Sequence, residues 1–269
     1  MWLPFTATFQ RNYLVMRRAF PWSFFLGHIL SGFYIIIFAY LTYYYVFKGD
    51  LSGNFSSLAG TNDYLSYVIL GGLLYSFSVS LLMIASRAII TELREGALEA
   101  LLLTPSSRKG YFLGYVAQGL TRVGMEFAVI VVTGYFFGLH LQNMNVIGVL
   151  VVLFVLIVST FSQALVLGSF MLYFRDTYIT QNTLFVLMGL VCSITFPVHY
   201  LPEAVRWLGT IMPLTYGVDA LRMVWIEGKT VSEIFPLLWK MTILGAIYFP
   251  IGTYFIKRME KNVLEKHFG

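Results

Sequence analysis

At 269 residues, 58% hydrophobic, 17% aromatic and only 12% charged, the chain has too few charges to cover a water-soluble surface. A mean hydropathy of +0.75 says the same and excludes a soluble enzyme, a disordered chain and a coiled coil together, which leaves an integral membrane protein. The 18 basic residues behind the net charge of +5 are dispersed along apolar runs, so they are no nucleic-acid footprint, and the single cysteine, Cys192, forms no intrachain disulfide.

In chain order, Trp2, Phe5, Phe9, Tyr13, Met16 and Phe20 recur every three or four residues, with Arg11 and Arg18 on the other side. That stripe predicts a helix over residues 1–20 lying in the membrane interface, from which Pro21 lets the chain turn. Spans follow from uncharged stretches set against the roughly 20 residues that a helix needs to cross the hydrocarbon core. There are 29 between Arg18 and Lys48, and 23 between Asp63 and Arg87. The 48 between Glu126 and Arg175 are too many for one helix, and His140, Gln142, Asn143 and Asn145 divide them into spans three and four. Span five takes the 26 between Asp176 and Glu203, interrupted late by Pro197, and span six runs from Ile234 to Ile256 around Lys240.

The expected fold is therefore an all-α membrane protein of six transmembrane helices, with residues 1–269 forming one transmembrane domain, since no linker separates two. With the N-terminus inside, 12 of the 18 basic residues fall on inner segments, against Lys48, Arg206, Arg222 and Lys229 outside. Both termini are accordingly expected in the cytoplasm.

Signals for catalysis are missing. His28, His140, His199 and His267 lack ligand spacing, and no HExxH, CxxC or GxSxG occurs, so neither a metal nor a catalytic site is expected. Gly228-Lys229-Thr230 ends like a phosphate-binding loop, but the first glycine of that motif would fall at Met223. The chain thus carries no nucleotide site or cofactor of its own, and any ATP it uses is hydrolysed by another subunit.

The inner segment 87–110 is the most informative. Glu92, Glu95 and Glu99 share one helical face, Leu98, Leu101 and Leu102 form a neighbouring apolar patch, and Thr104-Pro105-Ser106-Ser107 stops the helix. A charged, leucine-rich knob between two spans suits a partner that pushes on it; an amphipathic connection lying on lipid has the same pattern. The outer segment 198–230 carries two short helices. Pro202 starts the first, with Val205, Leu208 and Met212 on one side, and Pro213 breaks it. Leu214, Val218, Leu221 and Trp225 stripe the second, with Asp219 and Arg222 three residues apart on the expected wet face. Neither crosses a membrane alone, so the pair is expected to dip into the outer leaflet and return, as a cap on a pathway or as plain surface helices.

Two stretches carry a resemblance. Glu92-Leu93-Arg94-Glu95-Gly96-Ala97-Leu98-Glu99-Ala100-Leu101-Leu102-Leu103-Thr104-Pro105-Ser106-Ser107-Arg108 resembles the inner loop of type 2 ABC exporter permeases. Phe196-Pro197 and Pro213-Leu214-Thr215-Tyr216-Gly217-Val218-Asp219-Ala220-Leu221-Arg222 resemble the outer segment of the same family, with Met212 where an Asn is usual. The nearest likeness is to the daunorubicin-exporter-like drug permeases, while Arg175-Asp176 resembles the polysaccharide branch.

The resemblance implies a bacterial cytoplasmic membrane, two permease chains as homodimer or heterodimer, and two separate ATPase subunits that hold ATP and Mg. It implies export of an amphipathic or hydrophobic compound, a drug or lipid, or alternatively of a lipid-linked glycan. The loop helix would be the coupling helix, with Glu92, Arg94, Glu95, Leu98, Glu99, Leu102, Thr104, Pro105 and Arg108 facing the ATPase. A pathway between spans one, two and five would place Tyr34, Tyr75, Asn182, Phe185 and Thr195 along it.

Arg122 and Glu126 stand four residues apart inside span three, with Gln118 one turn earlier. Each charge costs roughly 2.5 to 3.5 kcal/mol at a helix centre, so mutual pairing is expected, as a polar hinge or with Arg122 snorkelling to the interface. A secondary transporter would show repeated halves and broken central helices, and an intramembrane enzyme would show catalytic groups facing one another across spans; neither pattern is visible in the sequence.

Overall fold

The computed structural model describes all residues except 1, 20–22, 49–54, 56–58, 62, 95–107, 175–177 and 269, and gives only the backbone course of 19, 23–29, 31–32, 89–94, 108–109, 178–180 and 259–268. Hydrocarbon offers no partner to a free N–H or C=O, so apolar runs of this length close their hydrogen bonds within helices. Among the described residues every regular element is helical.

In chain order these are α1 (Trp2–Ala19), α2 (Ser23–Leu41, continued by a π-helical turn Thr42–Val46), α3 (Tyr64–Arg94), α4 (Arg108–Phe136) and α5 (Val146–Phe174). Then come α6 (Tyr178–Val191), a 3₁₀ turn (Val198–Tyr200), α7 (Glu203–Thr210), α8 (Pro213–Trp225) and α9 (Val231–Phe268). Among the described residues four stretches are long and apolar enough to cross a membrane, namely Tyr64–Ala88, Gly110–Phe136, Val146–Phe174 and Val231–Arg258. Two shorter apolar helices, Phe33–Val46 and Gln181–Val191, lie where spans one and five are expected.

The helix α3 is the centre of the bundle. Ile69, Leu70, Leu73, Leu74, Leu81 and Leu82 on it are essentially inaccessible, and α2, α4, α5, α6 and α8 all pack around them. The closest pairing joins α5 to α9. Gly245 lies against Ser159, Gly252 against Leu165, and Ser159 Oγ donates to Met241 O at 2.9 Å. Small residues let two backbones approach, and in lipid such packing replaces the hydrophobic drive that water would supply. The α1 stripe does not face lipid alone. Phe5 and Thr8 press on Gly114 of α4, and Gln118 Nε2 meets Met16 Sδ at 3.5 Å.

Span five differs from its expectation. The helix α6 stops at Val191, about 21 Å after it starts, against a core of roughly 30 Å. Residues 192–197 are irregular, Ser193 takes φ +57°, and Ser193 Oγ bonds to Phe196 O at 3.3 Å. Pro197 then leads into the 3₁₀ turn.

One end of the bundle is tied together by polar contacts. Asp63 accepts from Ser66 N at 3.0 Å, capping α3, and its other oxygen meets His140 Nδ1 at 3.0 Å. His140 N donates to Ser66 Oγ, Trp225 Nε1 donates to His140 O at 3.0 Å, and Asn145 N donates to Val224 O at 2.9 Å. The start of α3, the loop after α4, the start of α5 and the end of α8 therefore meet there. The Arg94 end of α3 and the Arg108 end of α4 lie opposite.

Candidate functional site

Along α8, Pro213 occupies the first helical position, where its missing N–H costs nothing, and Met212 before it is extended. Thr215 Oγ1 donates to Gly209 O at 2.7 Å, and Tyr216 Oη to Thr210 O at 2.9 Å, so α8 is bonded back to α7. Met212 Sδ receives Gln163 Nε2 at 3.3 Å, well along α5 from its start. The helix α8 thus runs from the level of Gln163 to the Asp63 end.

The wet-face expectation for Arg222 is corrected by this burial. All of α8 is enclosed apart from Tyr216, Asp219 and Met223, and Arg222 is 6% exposed. Its guanidinium lies 3.3 Å from the Tyr67 ring centroid, donates through Nε and Nη2 to Tyr67 O at 3.2 and 3.0 Å, and through Nη2 to Ile194 O at 2.9 Å. Asp219 is near Nη1 at 3.8 Å with its carboxylate 43% exposed, and Nη1 makes no hydrogen bond. The planar guanidinium fork suits this job: one side chain holds α3, the broken end of α6 and α8 in one block. Gly71 is the matching vacancy, since a methyl group there would run into Ile194 O and Arg222 Nη2. Cys192 is fully buried against Thr215 of α8, and Tyr67 Oη meets Ser193 Oγ at 3.1 Å.

The second buried charge cluster lies between α3 and α4. Arg122 Nε donates to Glu126 Oε1 at 3.3 Å, and Ser80 Oγ of α3 donates to Glu126 Oε2 at 3.0 Å. Glu126 is 8% exposed, so both its oxygens are held inside the bundle. Ser80 is a partner that sequence spacing does not reveal.

The pathway residues do not form one cluster. Tyr75 Oη donates to Phe185 O at 3.1 Å, which joins α3 to α6, and Gly189 borders the same ring. Tyr34 is exposed on α2 and stacks on Phe38, Asn182 is exposed on α6, and Thr195 lies in the break after α6. At the opposite end from Asp63, Arg87 Nε donates to Gln181 Oε1 at 2.8 Å, fixing the first turns of α6 to α3.

Of the coupling residues, Glu95, Leu98, Glu99, Leu102, Thr104 and Pro105 lie outside the described residues. Glu92 and Arg94 fall in the last turn of α3 and Arg108 opens α4, with their side chains outside the description.

Buried charges inside a bundle of long apolar helices packed around α3 mark a membrane-spanning protein. Residues 4–226 match the family described as ABC-2 type transporter, and the chain belongs to that membrane family. A comparison with curated proteins returned no match. Membership makes the chain an ABC permease subunit, which implies an associated ATPase subunit, and ends the secondary-transporter reading.

Proposed function

We propose that the chain is the transmembrane subunit of an ATP-driven exporter that moves an amphipathic or hydrophobic compound out of the cytoplasm or the inner leaflet. Membership of the ABC-2 family over residues 4–226 carries this reading. Two permease chains, identical or different, would sit on two ATPase chains holding ATP and Mg, in a bacterial cytoplasmic membrane. On this reading α2 and α6 complete six spans, both termini lie in the cytoplasm, and residues 92–108 dock in a cleft of the ATPase. The Asp63 end then faces outward, and α7 and α8 dip into the outer leaflet as far as Gln163.

A lipid-linked glycan is the second reading. It is favoured by a cleft of about 620 Å³ at the Asp63 end, where Tyr44, Asp63, His140, Gln142 and Asn143 combine ring surface with hydrogen-bonding groups suited to hydroxyls.

The test is reconstitution of the chain with its ATPase in vesicles, screening amphipathic drugs, lipids and glycolipids for stimulated ATP hydrolysis and for movement across the bilayer. Stimulation and outward movement of an apolar compound supports the first reading, and of a glycolipid alone the second. ATP hydrolysis indifferent to all three classes contradicts both. Glu95→Lys and Leu98→Asp should abolish coupling while the chain still inserts.

A further inference from the structure

Two grooves run side by side along the Arg94-end half of α5, lined by none of Arg222, Tyr67, Glu126 or Tyr75. The first lies between α5 and α9, has a volume of about 380 Å³ and is lined by Ser169, Ile251, Phe255 and Arg258. The second, about 450 Å³, lies between α5, α6 and α9, and reaches Gln163, Met212 and Tyr248 at its far end. Both share Val166, Phe170 and Phe174. The rings of Phe170 and Phe174 stack at 6.5 Å and stand about half exposed, as a ridge between the two grooves.

We propose that this face holds one anionic, two-chain phospholipid of the bilayer, with one chain on each side of the Phe170 and Phe174 ridge and the phosphate at Arg258.

Three observations select that occupant. The eleven helical steps from Gln163 to Phe174 rise about 16 Å, which is half of a roughly 30 Å hydrocarbon core and so the depth of a single leaflet. At the deep end two polar groups are already turned onto protein: Gln163 Nε2 is on Met212 Sδ, and Tyr248 Oη donates to Ile211 O at 2.6 Å. Ser169 Oγ is likewise turned onto Val166 O at 2.6 Å. Among the described residues the one charge lining the grooves is Arg258, next to Lys257 where the apolar run of α9 gives way to charged residues, and there a guanidinium fork meets a phosphate while the side-chain stem stays in lipid. A methyl-ended chain fits the end at Gln163, and an anionic head group fits the end at Arg258. The geometry holds for either orientation in the membrane and does not depend on what the permease transports.

The test uses the full-length chain, purified in detergent and stripped of lipid, then titrated with phosphatidylglycerol, phosphatidylcholine or lysophosphatidylglycerol and read by native mass spectrometry. One phosphatidylglycerol per chain should bind about tenfold more tightly than phosphatidylcholine, the scale of one charge-assisted contact, and more tightly than the single-chain lysolipid. Arg258→Gln should remove the head-group preference while leaving two-chain binding, and Arg258→Lys should keep most of it. Ser169→Phe, which fills the first groove, should abolish the advantage of two chains over one. Should that variant misfold, the wild-type comparison of two-chain with single-chain lipid decides the same point. Equal affinity for the two phospholipids, a preference that survives Arg258→Gln, or one that Lys48→Gln at the other end removes equally well would overturn the assignment.

Discussion

Arg222 with Asp219 and Arg122 with Glu126 begin from the same sequence rule, opposite charges one helical turn apart, and end in different structures. In α4 the charges meet, at 3.3 Å, and Ser80 satisfies the second carboxylate oxygen. In α8 they hardly do. Arg222 lies 3.8 Å from an Asp219 that is 43% exposed, and its hydrogen bonds go to two backbone carbonyls and its flat face to Tyr67. Spacing identifies which residues can reach each other, while burial and the neighbouring helices decide which do. A charge held by carbonyls is a clamp between elements, whereas a charge held by its neighbour is a local neutralisation.

The sharpest way to break this contrast is at Arg222. Arg222→Leu should cost about 3 kcal/mol of stability, because it leaves the irregular Ile194 carbonyl without its donor and removes the ring contact. Arg222→Lys should recover less than half, since one ammonium cannot span both carbonyls. Asp219→Asn should cost only about 0.5 kcal/mol, as expected of a partly exposed carboxylate 3.8 Å from its partner. Thermal melts of the purified chain check all three, and an Asp219 effect as large as that of Arg222 would mean that the ion pair is the clamp.

In α4 the two partners should count equally. Arg122→Leu and Glu126→Leu should each cost about 2 kcal/mol, and the double variant should recover part of the loss, because two uncharged side chains leave no unpaired charge. Additive losses in the melting temperature would instead describe an arginine that already reaches water. Ser80→Ala should weaken the cluster by about 1 kcal/mol in the parent and by nothing in Glu126→Leu, a coupling that a double-mutant cycle reads directly. Smallest of all, Tyr75→Phe should cost about 0.5 kcal/mol by freeing Phe185 O, with a correspondingly small shift in the melting curve.

The legible parts of the fold are those set by local chemistry. His140 to Asn145 form the loop between α4 and α5, Pro213 starts α8 at its first position, and Pro202 stands immediately before α7. The end of α6 is different. Val191, Cys192 and Ile194 continue an apolar run that reads as helix, and the break is fixed by an arginine 28 residues later that takes the Ile194 carbonyl. Burial of Arg222 was hidden for a related reason. It stands four residues after Val218 and so borders the apolar stripe of α8, but a helix enclosed on nearly every side has no wet face to assign. Ser80 lay out of reach because one serine in an apolar span says nothing of what it faces. The residues of the coupling segment rest on the sequence and the family alone.

The clamp is tested most directly through Cys192, the only cysteine of the chain, buried against α8 beside the carbonyl that Arg222 holds. The measurement is its rate of alkylation by a membrane-permeant maleimide in native membranes, in the parent, Arg222→Lys and Arg222→Gln. If Arg222 fastens α3, the end of α6 and α8 into one block, the parent thiol resists modification, Arg222→Gln reacts at least about tenfold faster, the change in opening that one charged hydrogen bond supports, and Arg222→Lys lies between. Equal rates in all three chains, each present at parental levels, would contradict the account.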